Sequence, residues 1–585
     1  MMAGMQMGST TSQDTKMVWP PTTVEDGMVC ERDVALTMSD GAVLRANVFR
    51  PESPGQYPVV MAMGAYGKDV HFEDAFNPQW QVLKRIYPEL DSNGSTGRFL
   101  RWEVVDPERW VPDGFVVIQI DSRGTGRSEG YLDPFGPVET RDYYEWIEWA
   151  GVQPWSNGKV GLIGVSYLAI KQWQVAALNP PHLAAIVPWE GSSEFFRDGG
   201  HHGGILSNSF TFEWWPRQVL ANQYGSGDSK HRDRITGERT TGPSLSSEIL
   251  EGSRADHPND RLTHSLDDAW NRARAANLPA ITVPLLSAAN WGGAGMHLRG
   301  NFEGFLRTGS AQKWLFAHIG THYESFYLPH YVAIQKRFFN HFLRGDDNGW
   351  DREPPVQLAI RHADGTAAIR KEQAWPLART QRVPLYLDAR EGGLQSTAPS
   401  ASGSVDFQAM TGAASFTTAP FDAATEFTGP VTLTLWISST TRDADIFAVL
   451  RVLDPAGEEV TYVGAHERVP MAQGWLRASR RKTDPERSTE WRPWHTHDDV
   501  QKLEPGQVYP LDVEIWPTSM VFPKGWRLSL TVQGHDYIVT APGRMRHDHP
   551  EDRPAGEFGG VTTVHTGGEH ASHLVMPLIA REQEA

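Results

Sequence analysis

Four short apolar runs punctuate residues 30–195: YPVVMAM at 57–63, GFVVIQI at 114–120, VGLIGV at 160–165 and LAAIVP at 183–188. Each is bounded by Gly, Pro or polar residues, the pattern of strands buried on both faces of a parallel sheet. Between them, residues 139–149 and 168–178 carry aromatic and apolar side chains at helical spacing. This alternation predicts a doubly wound α/β sheet. Ahead of it, residues 35–49 read as a β-hairpin turning at Ser39-Asp40-Gly41. The alternation breaks over 197–270, where an aromatic FTFEWW (210–215) precedes a polar stretch at 225–260. An insertion here is expected to cap the carboxyl end of the sheet, with its polar half a mobile loop. The sheet pattern resumes with VPLLSAA (283–289) and KWLFAH (313–318), and 331–343 reads as a closing helix. After residue 355 helical spacing disappears. The runs at 431–438, 448–453, 508–516 and 527–533 are β-rich and separated by Gly/Pro/Asp turns. They predict a second, antiparallel domain of jelly-roll β-sandwich type.

The length of 585 residues allows more than one core. Apolar residues at 39% and charged residues at 21% fit an ordinary soluble globular chain. A net charge of -17 without a long basic run argues against a nucleic-acid partner. Cys30 is the single cysteine, so neither an intrachain disulfide nor a cysteine-based zinc site can form. The other His and carboxylate positions lack convincing metal spacing, and neither a metal nor another cofactor is expected. Residues 1–16 lack the apolar segment of a signal peptide, and no apolar run approaches 18 residues. A cytoplasmic protein without a membrane partner is expected. The oligomeric state stays open, a homo-oligomer included.

The chemistry is carried by Gly164-Val165-Ser166-Tyr167. Ser166 directly follows a strand pattern and precedes a helix pattern, the place of a nucleophile on a strained elbow. Gly164 removes a side chain that would collide with the turn. The helix N-terminus behind Ser166 favours developing negative charge, and the Tyr167 N–H is the first oxyanion donor.

DSRGTGRSEG at 121–130, GLIGVSYLA around Ser166 and the C-terminal β domain together resemble the cocaine esterase-type (CocE/NonD) hydrolases. X-Pro dipeptidyl-peptidases, glutaryl-cephalosporin acylases and α-amino-acid ester hydrolases are relatives of that family. The resemblance spans roughly residues 30–580. It implies an α/β-hydrolase core with an inserted helical cap and a C-terminal jelly-roll domain, cleaving ester or amide bonds through an acyl-enzyme. The expected division is a disordered leader at 1–29, a hydrolase domain at 30–196 and 271–352, a cap at 197–270 and a jelly roll at 353–585. Asp121 and Arg123 read as a structural pair holding the Gly-rich turn. The resemblance also implies that the Tyr66 hydroxyl contributes to the oxyanion hole.

The base must be a histidine reaching Ser166. KWLFAHIGTH supplies His318 and His322, and the family pattern aligns on His322. His318 falls within the strand, as a structural residue. The acid departs from the family. Where the relatives carry Asp in W-Y-D-G, this chain reads Asn290-Trp-Gly-Gly293, with Gly293 (or, shifted by one, Gly292) in place of the Asp. Glu190, at the end of the preceding strand, is the candidate replacement; Glu194, Asp198 and Glu324 are weaker ones. Trp291, Phe210, Trp214 and Trp215 are read as lining an apolar substrate pocket.

These residues predict a serine hydrolase acting on an ester or amide of a small acyl substrate. Two other readings stand beside it. One is an aminopeptidase-like enzyme using Glu190 or Glu194 to bind a substrate ammonium. The other is a non-catalytic binding protein on a hydrolase fold.

Overall fold

The computed structural model describes residues 22–25, 27–537 and 545–580. The first-domain sheet has eleven strands: β1 (Thr23–Glu25), β2 (Met28–Thr37), β3 (Val43–Pro51), β4 (Tyr57–Gly64), β5 (Val116–Asp121), β6 (Ser156–Val165), β7 (Leu183–Trp189), β8 (Leu285–Asn290), β9 (Lys313–His318), β10 (Val356–Arg361) and β11 (Ala367–Glu372). Their order is β1-β2-β3-β5-β4-β6-β7-β8-β9-β10-β11. From β5 through β10 neighbouring strands run parallel; both flanks are antiparallel. The apolar runs of the sequence are the central strands. They are buried on both faces because helices cover each side. The helices α1 (Pro137–Gly151), α2 (Tyr167–Ala176), α3 (Leu298–Arg307) and α4 (Pro329–Phe339) supply much of that cover.

Two expected boundaries shift. Within the expected leader, Thr23–Glu25 and Met28–Val29 already belong to the sheet, because Val24 and Val29 pair across β1 and β2. Residues 1–21 and 26 lie outside the described residues. At the other end, β10 and β11 extend the first sheet past residue 352, with Leu315, Phe316 and Ala317 of β9 in register with β10. The Val356, Leu358 and Ile360 side chains are buried there against Trp291 and Trp375.

The second domain is a twelve-stranded sheet whose path closes on itself, since His573–Ile579 pairs with both Thr380–Asp388 and Thr425–Ser439. The expected β-sandwich is thus a barrel-like jelly roll around Leu433, Leu435, Ile446, Val513 and Leu530. Arg299 of α3 bridges the domains, with Glu514 at 2.9 Å on one side and Asp198 at 2.7 Å on the other.

The cap contains helical segments at Phe210–Val219, Ser247–Gly252, His257–Thr263 and Ala269–Ala273. Its polar half was expected to be a mobile loop, but a buried ion pair and exposed ones fasten it. Asp233 is fully buried against Arg32, and Arg234 binds Glu73 at 3.0 Å and also pairs with Asp74.

Candidate active site

Ser166 sits between β6 and α2 with φ 57° and ψ -116°. A non-glycine residue held there stores roughly 1–3 kcal/mol of strain, which the surroundings must offset. Its N–H donates to the carbonyls of Trp189 and Glu190, each at 3.1 Å. Gly164 makes the turn feasible: a Cβ on it would stand 2.7 Å from the Leu168 Cβ. As the first helical residue, Tyr167 presents an N–H with no acceptor within its own helix.

Two more residues around Ser166 have positive φ, Glu190 at 48° and Glu103 at 63°. Both have their backbones tied to the elbow at Ser166. The Glu103 carbonyl accepts from the Val165 N–H at 3.1 Å, as the Glu190 carbonyl does from Ser166.

Glu190 projects from the end of β7 and is wholly buried. Its Oε2 lies 2.8 Å from His322 Nδ1. Its Oε1 accepts from Asn290 Nδ2 at 3.3 Å and lies 3.5 Å from His318 Nε2. Asn290 thus stands at the end of β8 as a neutral support for a carboxylate placed one strand away. Of the weaker acid candidates, Glu194 pairs with Arg197 at 2.7 Å and Asp198 with Arg299. Glu324 is not among the partners of His322. His318 is buried in β9, stacked on Trp189 and bonded to Ser325.

The other ring nitrogen of His322, Nε2, lies 3.2 Å from Glu103 Oε1. Burial opposes a charge on His322, but Glu190 and Glu103 outweigh it and raise the imidazole to about 10. Burial raises Glu103 itself to about 7, against the pull of His322. The second oxygen of Glu103 has no hydrogen-bond partner.

The ring that touches Ser166 is His297, which the sequence reading did not single out. Its Nε2 is 3.0 Å from Ser166 Oγ, and its ring stacks on His322 with centroids 5.3 Å apart. Its Nδ1 accepts the Ser192 N–H at 3.3 Å. A neutral imidazole accepting at Nδ1 carries its proton at Nε2, so His297 donates to Ser166 Oγ. Burial, followed by repulsion from His322, holds its pKa well below the ordinary value and keeps the ring neutral. The sequence signal was weak: a lone His in Gly295-Met-His-Leu298, in the loop where the acid was sought.

Ser166 and His322 open onto a cleft of about 220 Å³. Tyr66, Phe76, Trp102, Glu103 and Met296 line it from the first domain, Trp214 and Glu213 from the cap, and His466 and Met545 from the second domain. Trp214 Nε1 donates to the Tyr66 hydroxyl at 3.2 Å, which leaves the Tyr66 proton free for another acceptor. Burial, then the nearby Glu103 charge, keeps the phenol protonated. The expected aromatic lining holds only in part. Trp215 packs in the core against His257. Trp291 lies in the interdomain core with its Nε1 on the Ala359 carbonyl, because the β8 loop turns it away from the cleft. The Phe210 side chain lies outside the described residues.

Asp121 and Arg123 do not pair with each other. The Asp121 carboxylate accepts the N–H groups of Lys68 at 2.6 Å and Arg127 at 2.9 Å, while Arg123 binds Asp142 at 2.6 Å. Both residues still brace the Gly-rich turn. Among the described residues no cluster of His, Cys, Asp and Glu forms a metal site, and no helix is long and apolar enough to cross a membrane.

The strand–elbow–helix placement of Ser166 beside two histidines is that of a serine α/β-hydrolase. Residues 40–324 match the X-Pro dipeptidyl-peptidase (S15) family, and 348–575 match the X-Pro dipeptidyl-peptidase C-terminal non-catalytic domain. A CocE/NonD family hydrolase from Staphylococcus aureus, of solved structure, is 33% identical with a TM-score of 0.81, over 94% of each chain. The cocaine esterase of a Rhodococcus species is 24% identical over 94% of this chain and 98% of its own. An α-amino acid ester hydrolase shares the fold, with a TM-score of 0.69 at 15% identity over 98% of this chain and 100% of its own. The chain belongs to the CocE/NonD family of hydrolases, and it is a serine hydrolase of ester or amide bonds.

Proposed function

We propose that the enzyme transfers a small acyl group from an ester or amide to water in two steps, with Ser166 as nucleophile. The observation that carries this reading is the placement of Ser166 Oγ on His297, with the Glu190–His322 pair facing the same cleft. His322 is the general base, and Glu190 fixes its tautomer and stabilises the imidazolium. In the resting arrangement His322 Nε2 faces Glu103, so the base must exchange that carboxylate for the Ser166 hydroxyl. His322 then takes the Ser166 proton as Oγ attacks the carbonyl. The His297 Nε2–H steadies the charge developing on Oγ. The Tyr167 N–H and Tyr66 O–H receive the oxyanion. Protonated His322 passes its proton to the leaving group, and water discharges the acyl-enzyme by the reverse sequence.

The ammonium-binding alternative loses its expected carboxylates. Glu190 is committed to His322 and Glu194 to Arg197, and neither lines the cleft. Glu103 and Glu213 are the acidic residues that do.

A fluorophosphonate probe tests the nucleophile. The wild-type protein is expected to be labelled at Ser166, and Ser166→Ala to lose both label and esterase activity. A wild type that resists labelling while Ser166→Ala keeps its esterase activity would overturn the assignment.

A further inference from the structure

A second, smaller space adjoins the catalytic cleft, walled by Phe135, Ser193, Arg261, Arg274, Met296 and His297. Met296 walls both spaces. His297 is the partition between them: it holds Ser166 Oγ and also lines the second space.

Arg261, on the cap helix His257–Thr263, is 5% exposed and has no carboxylate partner among the described residues. Its Nε and Nη1 make no hydrogen bond. Its guanidinium rests on the Phe195 ring, 3.8 Å from the centroid. Burial and the like charge of Arg274 lower it to about 9. Other buried arginines of this chain each find at least one oxygen partner. Arg299 has Asp198 and Glu514, and Arg477 has Asp445 and Asp552. Arg361, without a carboxylate, donates to the Ser519 and Met471 carbonyls. An unpaired buried guanidinium is strongly unfavourable, so a site that retains one invites an anion. The Ser193 hydroxyl and Arg274 Nε are likewise without partners. Arg274 already answers Asp133 at 2.8 Å, which leaves Arg261 as the uncompensated charge.

We propose that this space is an anion subsite that receives a carboxylate on Arg261, with the Ser193 hydroxyl as second donor. The carboxylate belongs to the acyl chain of the substrate, whose scissile carbonyl lies at Ser166. This rests on the hydrolase reading above and deepens it, making the acyl donor a half-ester or half-amide of a dicarboxylic acid. The free interior suits a group the size of a carboxylate, and Phe135, Phe195 and Met296 suit the methylenes that lead to it.

Two measurements on the full chain test the proposal. In the first, adipate and acetate are titrated calorimetrically into Ser166→Ala, which separates binding from turnover. Saturable adipate binding is expected, weakened at least tenfold by adding Arg261→Met. Gly200→Ala is a second probe, because its Cβ would stand 2.3 Å from Arg261 Nη1 and displace the guanidinium without removing it. In the second, wild-type kcat/KM is compared for monoethyl adipate and ethyl hexanoate. The half-ester is expected to be favoured at least tenfold, and Arg261→Met to erase most of that ratio. Adipate and acetate binding equally, with no half-ester preference, would overturn the substrate-borne source and leave a free small anion as the occupant. No anion binding by Ser166→Ala, or binding indifferent to both variants, would overturn the subsite. A wild type that cleaves no ester yet binds adipate through Arg261 would refute the hydrolase reading alone.

Discussion

Glu103 Oε1 lies 3.2 Å from His322 Nε2, the nitrogen that the proposed mechanism needs for Ser166. With Glu190 on Nδ1, the imidazole is held between two carboxylates and is raised to about 10. A base with a raised pKa is protonated, and idle, over more of the neutral range. The acidic limb of kcat/KM should therefore lie well above that of an ordinary histidine, with activity still climbing past pH 8. Glu103→Gln removes the carboxylate that helps raise His322, so the limb should move down by about one unit or more. A pH-rate profile of this variant checks the shift. An unmoved limb would separate Glu103 from the titration of the base.

Glu190 serves the site twice, through its carboxylate on His322 and its carbonyl on the Ser166 N–H. Glu190→Gln keeps the side-chain shape and the backbone bond but removes the charge that stabilises imidazolium. We expect kcat to fall by about 10²–10⁴-fold, with KM little changed. Steady-state kinetics, with circular dichroism confirming an unaltered fold, measures this. A variant with wild-type kcat would remove Glu190 from the triad.

His297 is assigned as a donor to Ser166 Oγ, and the predicted loss on substitution is correspondingly modest. His297→Gln should lower kcat by about tenfold, the worth of one neutral hydrogen bond of about 1.4 kcal/mol. Because the residue also walls the second space, the neutral substrate ethyl hexanoate is the one to use. A loss approaching 10⁴-fold would make His297 itself the base.

The central sheet and the elbow at Ser166 were legible because local sequence controls them. Parallel strands covered on both faces must be apolar throughout, and the elbow needs Gly164 beside Ser166. The Glu190–His322 contact was legible from the place of Glu190 at a strand end, once Gly292 and Gly293 had left the usual acid position empty. His297 was not. It is 131 residues from Ser166 in the chain, and its role depends on a backbone N–H at Ser192 that no side-chain pattern reports. The tryptophans misled for a related reason. Trp214 faces the cleft, whereas Trp215 and Trp291 are core, and composition does not reveal which way an indole turns. The end of the first sheet was also hidden, since an antiparallel strand at its edge has the same alternation as one in the jelly roll.

The empty acid position has a consequence for how this active site can change. A Cβ on Gly292 would stand 2.3 Å from the Gly464 Cα, where the second domain lies against the β8 loop. A Cβ on Gly293 would stand 3.1 Å from the Asn290 carbonyl oxygen. The loop that in W-Y-D-G relatives supplies an acid serves here as a seat for the neighbouring domain. Restoring an aspartate at 292 would first require the two backbones to part. At 292 an aspartate therefore does not fit without displacing Gly464, and the proposed triad draws its acid from β7 instead.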